Sequence, residues 1–241
     1  TLAAIDLARS PGALVFGIVN AVGSSIARNT DTGVYIHVGP EIGVASTKAF
    51  TGQVTVLAML ALSLGMAKGT VSQQEYEETL EELVRIPDKI EVILKQNDKI
   101  KSMSSRFTFA HNFLYLGRGF NYPVALEGAL KLKEISYINS FAIAAGELKH
   151  GTIALIENDT LVVALATQDK LFEKMLSNIK EVKSRGATVL AIAKAGNTMV
   201  EEEADHVIYI PNTMDELTPL LSVVPLQQFA YYIAKLRGCD I

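Results

Sequence analysis

Three charged residues share one stripe of a predicted helix. Glu127, Lys131 and Glu134 are spaced i, i+4 and i+7, so a carboxylate, an ammonium and a second carboxylate lie on one face. The rest of that helix is apolar nearly all the way round, whereas a solvent-facing helix has a wider polar face. Buried charges must be paired or open into a pocket. The stripe therefore predicts an acid/base site, over which the glycine-flanked loop residue His150 can fold.

The spacing alone also permits simpler interpretations of these residues. An i, i+4 Glu–Lys pair is common on helix surfaces, where it contributes roughly 0.2–0.5 kcal/mol. An exposed loop histidine needs no function. The segment Glu41–Lys48 lies between a predicted strand and a predicted helix. Its backbone amides suit an anion, but Ser or Thr in that place also serves as a simple helix cap.

Other polar motifs give weaker signals. Gly117-Arg118-Gly119 lies between a predicted strand and helix but lacks the third glycine of a dinucleotide motif. His37, His111 and His206 lie on or next to predicted strands without metal-ligand spacing. We expect these three histidines to be structural.

Composition indicates a globular protein and excludes several classes. A chain of 241 residues, 49% hydrophobic and 20% charged, suffices for one large domain or two ordinary ones. The net charge of −4 and the lack of a Lys/Arg cluster argue against nucleic-acid binding. One cysteine, Cys239, excludes an internal disulfide and fits a reducing, cytoplasmic compartment. The apolar run Val54–Ala67 is too short to span a bilayer, so we expect a buried helix and no membrane partner.

Two segments of the chain resemble each other at a constant offset of 174 residues. The matching pairs are Gly12-Ala13 with Gly186-Ala187, Val15 with Val189, Ile18 with Ile192, Asp31 with Asp205, Tyr35-Ile36 with Tyr209-Ile210, and Gln53 with Gln227. Each copy contains two β-branched runs, namely Leu14–Val19 and Val34–Val38, then Thr188–Ala193 and Val207–Ile210. Such runs are typical of a parallel sheet covered on both faces by helices. The sequence therefore predicts a duplicated α/β module.

The second copy has more sequence in front of it than the first. A predicted strand at Phe113–Leu116, the charged helix and a strand at Leu161–Ala166 have no counterparts, because the chain begins inside a predicted helix without an initiator methionine. We therefore expect residues 1–70 to be the C-terminal half of a first module and residues 107–241 to be a second module. Residues 71–106 are predicted to form two connecting helices with a break at Pro87.

Four motifs carry a resemblance to a known family. Glu41–Phe50, Leu116–Gly119, Ala125–Tyr137 and Gly146–Gly151 closely resemble the isomerase domain of the glutamine–fructose-6-phosphate aminotransferases, and the similarity runs essentially end to end. The resemblance implies two flavodoxin-like modules of the sugar-isomerase (SIS) fold, each a parallel sheet between helices. It also implies an enzyme that converts fructose 6-phosphate and glutamine-derived ammonia to glucosamine 6-phosphate.

The resemblance assigns roles to individual residues. Glu134 would be the base that moves a proton between C1 and C2 of the sugar, and Lys131 would assist proton transfer at the neighbouring oxygen. His150, supplied by the partner subunit of a homodimer, would open the sugar ring. Val44 and Ser46 would line the sugar pocket. A carboxylate near an ammonium is a competent enediol base, an imidazole works near neutral pH, and no metal or redox cofactor is implied.

The chain departs from the family pattern in ways that affect activity. The family's phosphate-binding loop would lie before Thr1, its lysine-bearing tail after Ile241, and its glutaminase domain elsewhere in a longer chain. The counterpart of the phosphate loop in the second module, Thr167–Phe172, is poor in hydroxyls, so we expect no phosphate there. Asn139 and Thr152 stand where the family commonly has histidine and proline. We expect these 241 residues alone to have little activity.

Two other functions compete with the aminotransferase. One is a related sugar-phosphate isomerase or deaminase without a glutaminase domain, which the sequence upstream of Thr1 would distinguish. The other is a sugar-phosphate-sensing regulator built on the same module. The presence of Glu134, Lys131 and His150 counts against a sensor, because a sensor has no use for an enediol base.

Overall fold

The chain forms two compact units in a computed structural model that describes residues 1–158 and 160–241. The units are Thr1–Tyr76 and Glu77–Ile241. The first contains α1 (Leu2–Arg9), β1 (Phe16–Val19), α2 (Ser25–Arg28), β2 (Thr32–Tyr35) and α3 (Lys48–Ala67). Helix α4 (Gln73–Leu94) begins at the end of the first unit and continues into the second.

The second unit is built on a five-stranded sheet. Its elements are α5 (Asn97–Ser105), β3 (Asn112–Gly117), α6 (Asn121–Ser136), β4 (Asn139–Ala144), β5 (Leu161–Ala166), α7 (Phe172–Lys183), β6 (Thr188–Lys194), β7 (His206–Ile210) and α8 (Thr218–Leu236). The strand order is β4-β3-β5-β6-β7, and every neighbouring pair is parallel. The predicted α/β class with parallel sheets between helices is confirmed.

Alternate residues of the strands face two separate helical layers. Leu114 and Leu116 of β3 join the core that α7 covers. Phe113, on the opposite face of the same strand, packs edge-on against Phe229 of α8 with ring centroids 5.9 Å apart. Because both faces are covered, all six residues of β5 are buried, which explains its unbroken apolar run.

Strand β4 is the one element of this sheet for which the sequence pattern gives no prediction. It follows α6 directly, because Tyr137 ends the helix in the left-handed conformation at φ 60° and turns the chain back. The hydroxyl of Ser140 then donates to the carbonyl of Ala129 over 2.6 Å. This hydrogen bond ties the edge strand to the helix that carries the charged stripe.

The internal repeat is reproduced in backbone register and in hydrogen bonding. Strands β1 and β2 pair Phe16 with Thr32, and β6 and β7 pair Leu190 with His206, which are the same positions after the shift of 174. In both copies an aspartate accepts a backbone amide at the start of the first strand. Asp31 accepts from Val15 over 2.8 Å, and Asp205 accepts from Val189 over 2.8 Å. The two segments therefore resemble each other in structure as well as in sequence.

The connecting segment contains two helices, but Pro87 does not separate them. Helix α4 runs through Pro87, and the break falls between Leu94 and Asn97. A proline removes one backbone hydrogen bond from a helix. Here Ile86 and Ile93, both buried, hold the helix on either side of that position. The predicted break at Pro87 is therefore wrong.

Helix α3 is not the buried helix that its apolar run predicts. It contains no buried residue, and Leu57 and Leu64 are about half exposed. Its counterpart under the repeat, α8, is a core helix packed against α5 and α6. The first unit has only two strands and cannot cover α3 in the same way. At 20 residues, α3 is also the one helix in the described ranges that is long and apolar enough to cross a membrane. The prediction that this segment is too short to span a bilayer is therefore wrong too.

The aspartate that joins β6 to β7 makes stability depend on pH. Burial raises the pKa of Asp205, but the Lys183 ammonium and the Val189 amide outweigh burial and hold the pKa below its usual value. A lowered pKa stabilises the fold above the unfolded-state value and ceases to do so as the pH falls through the folded-state value. We expect Asp205→Asn to lower the free energy of unfolding by about 1 kcal/mol at pH 7 and by much less at pH 3.

Urea unfolding at the two pH values measures this difference. Glu202→Gln, at an exposed position nearby, is the control and should change little at either pH. An equal loss for Asp205→Asn at pH 7 and pH 3 would contradict the electrostatic origin.

Candidate active site

Helix α6 is held tightly against the sheet by two glycines. A Cβ on Gly117, at the end of β3, would lie 2.2 Å from the carbonyl oxygen of Asn121, so only glycine allows this strand-to-helix turn. A Cβ on Gly128, within α6, would lie 2.6 Å from Leu226 of α8. Close packing on both sides fixes the helix whose stripe carries the charges.

The stripe forms a connected ion triad. The Lys131 ammonium donates to Glu134 Oε2 over 2.8 Å and lies 3.4 Å from Glu127 Oε1. The Lys131 side chain is only 4% exposed, against 12% for Glu127 and 30% for Glu134. The triad is therefore not a surface ion pair, and the simpler interpretation is excluded by burial.

Charge in the triad is distributed unevenly. Burial raises the pKa of Glu127, and the attraction of Lys131 only partly offsets this effect. Glu134 lies in the last turn of α6, where the helix dipole disfavours a carboxylate. The Lys131 ammonium compensates for that field. The arrangement leaves Glu134 as the accessible carboxylate, with Lys131 and Glu127 behind it, which suits a base that takes a proton from carbon.

His150 lies in a loop after β4 and makes no described contact with the triad. Leu148 is fully buried and anchors the loop, and the amide of His150 donates to the carbonyl of Glu147 over 3.0 Å. Gly151, at φ 132°, adopts a conformation that L side chains rarely take. His150 itself is exposed. The structure thus presents the imidazole to solvent from an anchored loop.

The sugar-lining candidates Val44 and Ser46 lie in the first unit, apart from the triad in sequence. Val44 is 81% exposed and Ser46 is partly buried. Glu41 Oε1 accepts the amides of Thr47 and Ala49 over 3.3 and 2.8 Å. The start of α3 is therefore capped by a glutamate, not by a Ser or Thr hydroxyl, and this carboxylate occupies the amides proposed for an anion.

The second unit's counterpart of the phosphate loop is dominated by carboxylates. Lys194 donates to Asp169 over 2.9 Å and to Asp215 over 2.8 Å. Thr167 is buried and donates its hydroxyl to Asn121 over 2.8 Å. Two carboxylates around one ammonium leave a net negative charge, which is unfavourable for a phosphate. In the described ranges no group of three or more His, Cys, Asp and Glu side chains is arranged to hold a metal ion.

Sequence reasoning missed the residues that support the loop of His150. Arg118, Asn178 and Glu181 form hydrogen bonds behind this loop. Arg118 lies in a motif that was considered for dinucleotide binding and that carries part of the family resemblance, but neither gave it a role, and the other two occupy ordinary helix positions. Their separation in the chain left no pattern by which spacing could find them.

Removing the Lys131 ammonium should destabilise the fold, because the buried carboxylates lose their counter-charge. We expect Lys131→Met to lower the free energy of unfolding at pH 7 by about 2–4 kcal/mol, because Glu127 is left desolvated without its counter-charge. The double variant Lys131→Met/Glu127→Gln should recover part of the loss. Denaturant unfolding measures both, with Lys133→Met on the exposed face of α6 as the matched control. Equal stability of Lys131→Met and Lys133→Met would contradict the buried triad.

Comparison with known proteins identifies the family. The SIS domain pattern matches residues 1–63 and 107–237. A glutamine–fructose-6-phosphate aminotransferase of Bacteroides thetaiotaomicron is 57% identical over 241 residues, which is all of this chain and 39% of that protein. One from Thermococcus kodakarensis is 45% identical over 240 residues, covering 40% of that protein. The chain thus spans about two fifths of the length of these curated relatives.

Solved structures agree with the sequence comparison. The C-terminal domain of glucosamine-fructose-6-phosphate aminotransferase from Francisella tularensis superposes with a TM-score of 0.95 at 35% identity, covering all of this chain and 69% of that one. A glucosamine-6-phosphate deaminase from Thermotoga maritima gives a TM-score of 0.75 at 26% identity, covering 98% of this chain and 66% of that one. The chain therefore belongs to the SIS-domain family and groups with the C-terminal domains of the glutamine–fructose-6-phosphate aminotransferases.

Proposed function

We propose that the full-length protein containing this chain converts fructose 6-phosphate and glutamine-derived ammonia to glucosamine 6-phosphate, and that this chain supplies its isomerase part. The observation that carries the proposal is the buried Lys131 held between Glu127 and the accessible Glu134. Identity of 57% across the whole chain to an aminotransferase supports it over a deaminase, for which the identity is 26%.

Glu134 performs the proton transfer between carbons. Ammonia condenses with the C2 carbonyl of the open sugar and water leaves, which gives an imine at C2. Glu134 takes a proton from C1, the C1–H electron pair forms a C1–C2 double bond, and the C2–N π pair moves to nitrogen, which gains a proton and gives an enolamine. Return of a proton to C2 and loss of the proton from the C1 hydroxyl give the C1 aldehyde and the C2 amine. A carboxylate fixed by an adjacent ammonium serves as base and then as acid in such a transfer.

Lys131 serves this reaction from behind the carboxylate. Its hydrogen bond of 2.8 Å orients Glu134 and places a positive charge beside that carboxylate at the negative end of α6. The same ammonium assists proton transfer at the neighbouring sugar oxygen. Val44 and Ser46, from the first unit, line the sugar pocket in this proposal.

His150 opens the sugar ring before the isomerisation begins. The ring form breaks its C2–O5 bond when the anomeric hydroxyl loses a proton and O5 gains one, and an imidazole can accept the first proton and donate the second. In the proposal His150 acts on the sugar held by the partner subunit of a cytoplasmic homodimer. The glutaminase domain of the full-length chain supplies the ammonia.

Loss of the base should abolish isomerisation without unfolding the protein. We expect Glu134→Gln, in the full-length protein, to lower kcat for glucosamine 6-phosphate formation at least about 1,000-fold, because an amide cannot accept the C1 proton. Lys133→Gln, one position away on the exposed face of α6, should retain activity. The assay compares product formed from fructose 6-phosphate with and without glutamine.

The same assay separates the competing functions. Product that depends on glutamine or added ammonia supports the aminotransferase. Interconversion of sugar phosphates without any ammonia would point instead to a simple isomerase, and release of ammonia from glucosamine 6-phosphate alone would point to a deaminase. Activity of Glu134→Gln equal to that of the unsubstituted protein would refute the assigned base.

A further inference from the structure

A chain of polar contacts connects the loop of His150 to helix α7. The Lys149 ammonium, adjacent to His150 in sequence, lies 2.8 Å from Glu181 Oε1. The other oxygen of Glu181 accepts the Asn178 amide over 3.2 Å. The Asn178 oxygen in turn accepts the Nε–H of Arg118 over 3.0 Å. A loop, a helix and the turn after β3 are therefore joined through three successive contacts.

The central members of this chain are shielded from water. Asn178 is 5% exposed and has both ends of its amide group paired. The Glu181 side chain is 20% exposed, whereas that of Lys149 is 65% exposed. Hydrogen bonds gain strength where water is excluded, so Asn178 and Glu181 form the rigid end to which the loop is fixed.

The guanidinium of Arg118 also lies against the loop itself. A Cβ built on Gly146, near the start of the loop, would lie 3.5 Å from Arg118 Nη1, so the backbone passes close to the side chain. Leu148, which is fully buried, fixes the middle of the same segment through apolar packing. Arg118 and Lys149 thus hold the loop on both sides of Leu148, directly before His150.

On the far side of His150 the loop is held by its backbone and by apolar packing, because the amide of Ile153 donates to the carbonyl of Leu148 over 2.8 Å and Ile153 packs against the core. Gly151 follows at φ 132°, and an added Cβ there would meet no atom within 4 Å. The polar side-chain contacts of the loop, from Arg118 and Lys149, therefore lie on the side that precedes the imidazole. Misplacement of a catalytic group by about 1 Å costs up to about 100-fold in rate.

We propose that Arg118, Asn178 and Glu181 are positioning residues that hold the His150 loop in the geometry for opening the sugar ring. The proposal rests on the function assigned above, because it requires His150 to act on a cyclic sugar. It adds that these three residues affect ring opening selectively, and that they leave the later proton transfer by Glu134 unchanged.

The test compares a cyclic substrate with one that cannot close. Fructose 6-phosphate is a furanose closed through O5, whereas 5-deoxyfructose 6-phosphate has no such hydroxyl and stays open. In the full-length protein with ammonia, we expect Glu181→Ala to lower kcat for fructose 6-phosphate about tenfold and to leave kcat for the open analogue within about twofold. Glu181→Gln, which keeps an acceptor for Asn178, should show a smaller loss.

Three further variants calibrate the comparison. Glu173→Ala, exposed on the same helix, should match the unsubstituted protein on both substrates. His150→Asn should reproduce the selective loss in a stronger form, and Glu134→Gln should lose activity on both substrates.

The outcomes distinguish failure of this positioning proposal from failure of the proposed function on which it rests. Equal losses on both substrates for Glu181→Ala, or no loss on either, would overturn the positioning role while leaving the function intact. Equal losses for His150→Asn would remove its ring-opening role, and the positioning proposal would fall with it. Absence of product from the unsubstituted protein would refute the proposed function itself.

Discussion

One buried ammonium organises the second unit. Lys131 is enclosed between Glu127 and Glu134, and its desolvation is tolerable only because both carboxylates face it. Those contacts in turn require α6 to lie in one place against the sheet and α8, which the close approach at Gly128 ensures. The same pairing orients Glu134 and leaves it accessible. The position of α6 and the orientation of Glu134 therefore depend on the same contacts of Lys131.

The two copies of the repeat share a scaffold but differ at the ends of their strands. In both, an aspartate clamps the first strand, and the pairing register is identical after the shift of 174. In the first unit Glu41 caps α3, whereas in the second Asp169 and Asp215 surround Lys194. Side chains at strand ends carry little of the packing, so they are free to diverge while the sheet is kept.

Much of the fold follows from local sequence pattern. Strands β5 and β6 are continuous apolar runs, and the sequence places them almost residue by residue. Strand β4 escapes prediction because it is polar at its start and follows α6 after only two residues. Pro87 misleads because a single missing hydrogen bond is offset by buried neighbours. The exposure of α3 depends on how many strands are present to cover it, which composition does not reveal.

For the site, the sequence by itself determined which groups share a helix face, because the spacing of Glu127, Lys131 and Glu134 fixes their direction through local backbone geometry. Only the tertiary structure decided that this face is buried and that Lys131 bridges both carboxylates. It alone brought Asn178 and Glu181 of α7 behind the loop of His150. Burial and contacts across elements depend on how distant segments pack, and no local period records that packing.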